Sequence, residues 1–186
     1  DEAAELGSQS LCVIAGGLPG GSRDLAAAHA EVHDGLAAML EHARRLGVRI
    51  GLEPLHPMYA ADRACVNTMR HANDLCDALG EGIGILVDVY HVWWDPHLAP
   101  EVARAGAAGR ILGFHVCDWL VPTRDFLTDR GMMGDGVIDI PRIRGMVEAA
   151  GYGGFVEVEI FSAENWWKRE PAEVLDTCMQ RFASAC

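Results

Sequence analysis

Ile83-Gly84-Ile85-Leu86-Val87-Asp88-Val89-Tyr90-His91 decides how the rest of the chain is read. An apolar run, Ile83–Val87, leads straight into a carboxylate at Asp88, and an imidazole follows at His91. Strands buried on both faces read as continuous apolar runs and occur in parallel sheets covered by helices. A carboxylate at the end of such a strand is costly to bury unless something pairs with it. Three other apolar runs end in the same manner: Val48–Leu52 before Glu53, Ile111–Phe114 before His115, and Gly154–Val158 before Glu159.

A fifth run, Leu11–Ala15, breaks at Gly16-Gly17-Leu18-Pro19-Gly20-Gly21. That loop matches neither a P-loop nor a dinucleotide fingerprint, so it reads as a mobile loop over a site. Asp24 is placed to cap a helix from Leu25 to about Leu46, with Leu36, Leu40 and Ala43 at helical spacing and Gly47 as its stop. Further helices are expected near Thr68–Leu79, Pro100–Ala105, Ile140–Ala150 and Pro171–Ala183, and a long loop over Cys117–Gly136. Alternating strands and helices without a linker predict one α/β domain over 1–186. Its sheet is parallel, either doubly wound or a (β/α)₈ barrel.

Composition narrows the function. A net charge of −12 over 186 residues argues against a nucleic-acid partner, which needs a basic surface. No apolar run is long enough for a membrane-spanning helix, so no membrane partner is expected. Six cysteines stand singly, without CxxC spacing, and read as reduced thiols of a cytoplasmic protein.

In a parallel α/β fold the carboxyl ends of all strands lie on one face, where the active site forms. Glu53, Asp88, His115 and Glu159 therefore converge. Three carboxylates and one imidazole form a hard, oxygen-rich set that suits one divalent cation, Mn²⁺, Mg²⁺ or Co²⁺, with Zn²⁺ compatible. Without a cation the carboxylates repel and raise one another's pKa. Singly, each has a plainer reading: Asp88 as a loop cap, His115 as a core histidine, either glutamate as half of an ion pair. Four strand ends in succession are hard to assign to capping. Strand alternation places Gly51 beneath Glu53, Leu86 beneath Asp88, Gly113 beneath His115 and Glu157 beneath Glu159, the two glycines leaving space below the cation. Glu157 then either accepts from a ligand or pairs with Arg49.

His91 is placed to reach a substrate hydroxyl or carbonyl, or is simply a loop histidine. His56 reads as a rim residue. Trp93, Trp94, Trp119, Trp166 and Trp167 all follow strands, where aromatic faces stack on sugars or pack on one another. Arg130 is the cation best placed for substrate oxygens; its plainer reading is a salt bridge to Asp129 or Asp135.

Leu52-Glu53-Pro54, Val87-Asp88-Val89-Tyr90-His91, Phe114-His115-Val116-Cys117-Asp118-Trp119, Asp129-Arg130-Gly131-Met132-Met133-Gly134-Asp135-Gly136 and Val156-Glu157-Val158-Glu159-Ile160-Phe161-Ser162 together resemble the xylose isomerase-like TIM-barrel superfamily. The likeness is to its sugar phosphate isomerase/epimerase branch and covers Leu11 to the C-terminus. It implies a divalent-metal-dependent isomerase or epimerase of a small sugar, sugar phosphate or related ketone, working by proton transfer through an enediolate. An inosose-dehydratase-like lyase and a non-catalytic barrel-derived binding protein are the alternatives. The resemblance implies that Glu53, Asp88, His115 and Glu159 hold the ion, that Glu53 and Glu159 are the acid/base pair, and that His91, Arg130, His56 and Trp119 face the substrate. A whole barrel of this kind needs roughly 250 residues. The five units here match strands four to eight, so the expected domain is N-terminally incomplete. Its open sheet edges make a homo-oligomer an expectation.

Overall fold

A computed structural model describes all 186 residues. Five strands form one parallel sheet in chain order: β1 (Ser10–Val13), β2 (Arg49–Leu52), β3 (Ile83–Asp88), β4 (Ile111–Val116) and β7 (Val156–Val158). Every neighbouring pair is parallel. The sheet curves as an open half-barrel, which fixes the class as α/β and the architecture as part of a (β/α)₈ barrel. After the short α1 (Glu2–Glu5), the covering helices are α2 (Leu25–Leu46), α3 (Met69–Leu79), α5 (Leu98–Ala107), α6 (Ile140–Ala149) and α7 (Pro171–Ala185). A single turn, α4 (Val89–Val92), follows β3 directly. No helix is long and apolar enough to cross a membrane.

Local chemistry sets these boundaries. The Asp24 carboxylate accepts from the Ala27 amide at 2.9 Å to start α2, and Gly47 ends it at φ 70°. Thr68 and Asp139 cap α3 and α6 in the same way. The buried face of α2 (Ala28, Leu36, Leu40, Ala43) is the one its spacing predicts. Leu40, Ile50, Ile85, Phe114 and Ile143 lie in the continuous core between helices and sheet.

Three expectations change. The segment Cys117–Gly136 is not all loop: β5 (Asp118–Trp119) and β6 (Arg130–Gly131) pair as an antiparallel ribbon. The glycine-rich loop after β1 is tied down, the Cys65 amide donating to Gly16 O at 2.9 Å and the Leu18 amide to Ala61 O at 3.1 Å. Gly17 permits that closure, since a Cβ there would sit 2.7 Å from the Asp62 backbone.

The third change lies beneath the site. A Cβ on Gly51 would sit 2.6 Å from Leu86 Cδ1, and one on Gly113 would overlap Leu86 Cδ2. Both glycines make room for Leu86, and the space below the strand ends is filled by its side chain.

One irregularity sets the phase of the strands. Ile85 pairs with Ile111, but Leu86 pairs with Gly113, so Leu112 is skipped. A bulged residue reverses which face the following side chains take. Because of it, Asp88 stands level with His115.

Both sheet edges are open. Leu11 and Ile14 are exposed at β1, while Phe155 and Val158 are exposed at β7. A groove of about 660 Å³ runs beside β7, lined by Phe114, Val147, Phe155, Val156, Met179 and Phe182 among others. Helix α7 has no buried residue, and its Leu175 and Met179 are exposed.

Overpacking a core typically costs 1–3 kcal/mol, so Gly113→Ala is expected to destabilise the protein by about 1–3 kcal/mol in urea titrations. The penalty should shrink in a Leu86→Ala background. An equal penalty in both would show that Leu86 is not the obstructing group.

Candidate metal and substrate site

The strand ends bring four side chains together. Glu53, Asp88, His115 and Glu159 each place one ligand atom so that all four lie within 4.8 Å of one another. Glu53 is held by its own amide, which donates to Val13 O at 3.1 Å and extends the β1–β2 ladder by one residue. Glu159 is held likewise, through Val116 O at 3.1 Å. Asp88 is fully buried; its Oδ1 caps the α4 turn by accepting from the Tyr90 amide at 2.8 Å, leaving Oδ2 directed at the cluster. Its expected role as a loop cap and its place in the cluster are thus both present.

The donor set fits a divalent cation. Glu53 Oε1 and His115 Nδ1 are buried and lack any hydrogen-bond partner. They face each other at 3.3 Å, out of hydrogen-bond alignment. Two such atoms left unsatisfied are costly, and a shared cation satisfies both. Burial pushes the Asp88 carboxyl up, against the opposing pull of Arg130. Burial and the neighbouring Asp88 also raise Glu159. Burial works against a charge on His115, yet the Glu53 carboxylate and the charges of Asp88 and Glu159 outweigh it and lift the imidazole to about 9. Glu157 resolves toward His115, its Oε2 lying 3.8 Å from Nε2, and makes no ion pair with Arg49. Cys12 on β1 turns its thiol to 3.8 Å from Glu53 Oε2. Packing around the sulfur and the charges of Glu53 and Glu159 push it up to about 12, so it stays a neutral thiol. None of the six cysteines is paired.

Arg130 is buried, and its salt bridges are to neither Asp129 nor Asp135. Its Nη1 donates to Glu159 Oε2 at 3.0 Å and to Asp88 Oδ2 at 3.2 Å. Asp129 is held by Arg124 at 2.7 Å and Asp135 by Arg181 at 3.1 Å, which leaves Arg130 free to turn inward. His91 is also buried, beside Arg130, with Nε2 3.6 Å from Asp88 Oδ2. Its Nδ1 accepts from the His56 amide at 3.2 Å, and its Nε2 lies 3.3 Å from Arg130 Nη2. Burial, then Arg130, pushes His91 down to about 3, so it remains neutral. His56 forms an aromatic wall with Trp119 (ring centroids 5.1 Å apart) and Trp94 (5.5 Å). Trp93 joins through Trp119 at 5.8 Å. Trp166 is instead buried under Arg169, and Trp167 is exposed beside Phe161.

Asp118 received no role from the sequence, though it stands inside the Phe-His-Val-Cys-Asp-Trp run. It has no exposed surface and accepts from four backbone amides: Trp119 (2.8 Å), Gly134 (3.0 Å), Gly136 (2.8 Å) and Ile138 (2.9 Å). Gly134, at φ 85°, supplies a turn, and Gly136 is needed because a Cβ would strike Trp119 O. Asp118 thereby winds residues 134–138 around one carboxylate and fixes the ribbon that delivers Arg130.

A parallel half-barrel with a carboxylate–imidazole cluster at its strand ends defines a class, and the chain belongs to the xylose isomerase-like TIM barrel family, whose model matches residues 1–178. It is similar, at 62% identity and a TM-score of 0.99, to a crystal structure of a protein from Sinorhizobium meliloti 1021, covering 100% of this chain and 68% of that one. A curated relative, the inosose isomerase of Halalkalibacterium halodurans, is 29% identical over 133 residues; the match takes in 69% of this chain and 45% of the relative. The IOLI protein, solved with a binding zinc atom, shares the fold at 20% identity and a TM-score of 0.79, with 98% of this chain and 64% of that chain covered. The chain thus spans about half to two-thirds of the length of these proteins. The fold is also shared with the 3-keto-D-glucoside 4-epimerase of E. coli, at 21% identity and a TM-score of 0.72, with 97% of this chain and 66% of that chain covered.

Each orphaned buried group costs about 1–3 kcal/mol. Asp118→Ala strips the acceptor from four amides, so a loss of about 3 kcal/mol or more is expected in chemical denaturation. Asp118→Asn should retain part of it. A loss below about 1 kcal/mol for the alanine variant would show that water replaces the carboxylate there.

Proposed function

We propose that the whole protein is a divalent-metal-dependent isomerase or epimerase of a small sugar, sugar phosphate or related ketone. The observation that carries this reading is the pair of orphaned buried donors, Glu53 Oε1 and His115 Nδ1, inside a ring of four ligand atoms. Glu53, Asp88, His115 and Glu159 would hold the ion, with Mn²⁺, Mg²⁺, Co²⁺ and Zn²⁺ all compatible with the donors. A bound divalent ion supplies Lewis-acid polarisation, which acidifies the C–H beside a substrate carbonyl.

The chain's own residues do the rest. Glu53 and Glu159 lie on either side of His115, within 3.3 and 3.8 Å of its Nδ1. In this reading one glutamate takes the proton from the carbon beside the ketone, and the other returns it to the enediolate. Glu159 suits proton transfer, because its side chain is about one-third exposed and burial beside Asp88 raises its pKa. Arg130 would meet substrate oxygens from within this cluster, its Nη1 on Glu159 and Asp88 and its Nη2 3.3 Å from His91 Nε2. His91 anchors the His56 backbone and so helps to hold the aromatic wall. His56 and Trp119 offer that wall to the apolar face of a sugar.

The domain is completed, we infer, by βα units beyond these 186 residues, which cover the β1 edge and the groove beside β7. The unpaired cysteines support a reducing, cytoplasmic setting. Where no such units cover them, the exposed β1 and β7 edges favour an oligomer of this chain.

Purified full-length protein is expected to carry about one divalent ion per chain by elemental analysis, and substantially less would remove the metal site. Glu159→Gln should slow solvent-deuterium exchange into a ketose by about a hundredfold or more, with the urea midpoint little changed. Wild-type exchange in that variant would take Glu159 out of the mechanism.

A further inference from the structure

The Tyr90 side chain, buried two residues after Asp88, has no part in the chemistry above. Its ring lies 4.3 Å from the Arg130 guanidinium carbon, and Phe161 lies 4.8 Å from the same carbon. Arg130 is therefore gripped by two aromatic rings, an arrangement that favours a cation even where its Nε has no hydrogen-bond partner. Trp119 stacks on Tyr90 with centroids 4.7 Å apart and planes at 27°. The Tyr90 hydroxyl donates to Phe126 O at 2.9 Å, and the Tyr59 hydroxyl donates to the same oxygen at 2.7 Å. A carbonyl has two lone pairs, so both bonds are satisfied at once. Phe126 lies in the connection 120–129 that joins β5 to β6, immediately before Arg130. Its ring is 6.2 Å from Trp119.

We propose that Tyr90 is a positioning residue for the reaction: its ring holds the Arg130 guanidinium against Asp88 and Glu159, and its hydroxyl, together with that of Tyr59, latches segment 120–129 beside the aromatic wall. This inference rests on the proposed function of the same site. The two halves of the role are separable. The ring acts on Arg130 and hence on Glu159, so its loss reaches the chemical step. The hydroxyl acts on the loop that carries Phe126, so its loss reaches substrate binding. The latch is also redundant, because either hydroxyl alone keeps the Phe126 carbonyl satisfied and removal of both leaves it free. The effects of Tyr59→Phe and Tyr90→Phe are therefore non-additive.

The test uses the full-length protein and the variants Tyr59→Phe, Tyr90→Phe, the double variant, Tyr90→Leu and Phe161→Leu. Hydrogen exchange of the amides in 120–129 should rise by tenfold or more in the double variant, exceeding the product of the single effects. Its KM should rise about tenfold, with a smaller fall in kcat. Tyr90→Leu should instead lower kcat by about tenfold or more, and Tyr90→Phe should recover most of that loss. Phe161→Leu removes the other ring from the guanidinium and should repeat the kcat effect should Tyr90→Leu fold poorly. An NMR readout independent of turnover is the Arg130 Nε–H resonance, which should shift in both leucine variants as ring current is lost. Exchange and KM in the double variant matching wild type would overturn the latch. Wild-type kcat in both leucine variants, or an unmoved Arg130 resonance, would overturn the grip. If wild-type protein turns over no ketose, the proposed function falls, while the exchange pattern and the Arg130 resonance still decide whether Tyr90 holds the loop and the guanidinium.

Discussion

A carboxylate with no exposed surface has to be answered by positive charge or give up its own, and Asp88 is such a carboxylate. Much of the site follows from that demand. Glu53 and Glu159 add two further acids to the same pocket, and what opposes them is His115 and Arg130. A divalent ion fits because it meets several oxygens at once and satisfies the bare Glu53 Oε1 and His115 Nδ1, to which no protein group hydrogen-bonds. Arg130 alone does not reach them; its Nη1 serves only the Asp88 and Glu159 side of the cluster.

The cost of placing Arg130 there is spread through residues with no chemistry of their own. A guanidinium so deep must arrive on a rigid arm, and the β5–β6 ribbon is that arm. Asp118 gathers four amides to hold its base, Arg124 and Arg181 occupy the acidic neighbours, and Tyr90 with Phe161 grips the guanidinium itself. The elements farthest from the cluster are the least enclosed. Helix α7 and the β1 and β7 edges expose apolar surface that a closed barrel buries.

Much of this was legible from residue order. Glu53, Asp88, His115 and Glu159 could be singled out because each ends an apolar run, and parallel strands put all such ends on one face. The start of α2 was legible because Asp24 acts within three residues of itself. Arg130 was visible as a lone inward candidate, but its partners were not, because Asp88 and Glu159 lie 42 and 29 residues away along the chain. Gly51 and Gly113 signalled open space below the site, yet Leu86 fills it, its γ-branched side chain reaching in from the strand between them.

Residue order by itself determined the α/β class, the parallel order of the strands and the list of residues at their ends, because apolar periodicity and capping are local properties. Tertiary structure decided the rest. The skipped Leu112 sets Asp88 level with His115, and strand pairing alone reveals a one-residue bulge. The neutral state of His91, the inward turn of Arg130 and the shared carbonyl under Tyr59 and Tyr90 depend on what surrounds each group. Charge, desolvation and hydrogen bonding act through space, between side chains that the chain brings together only once it has folded.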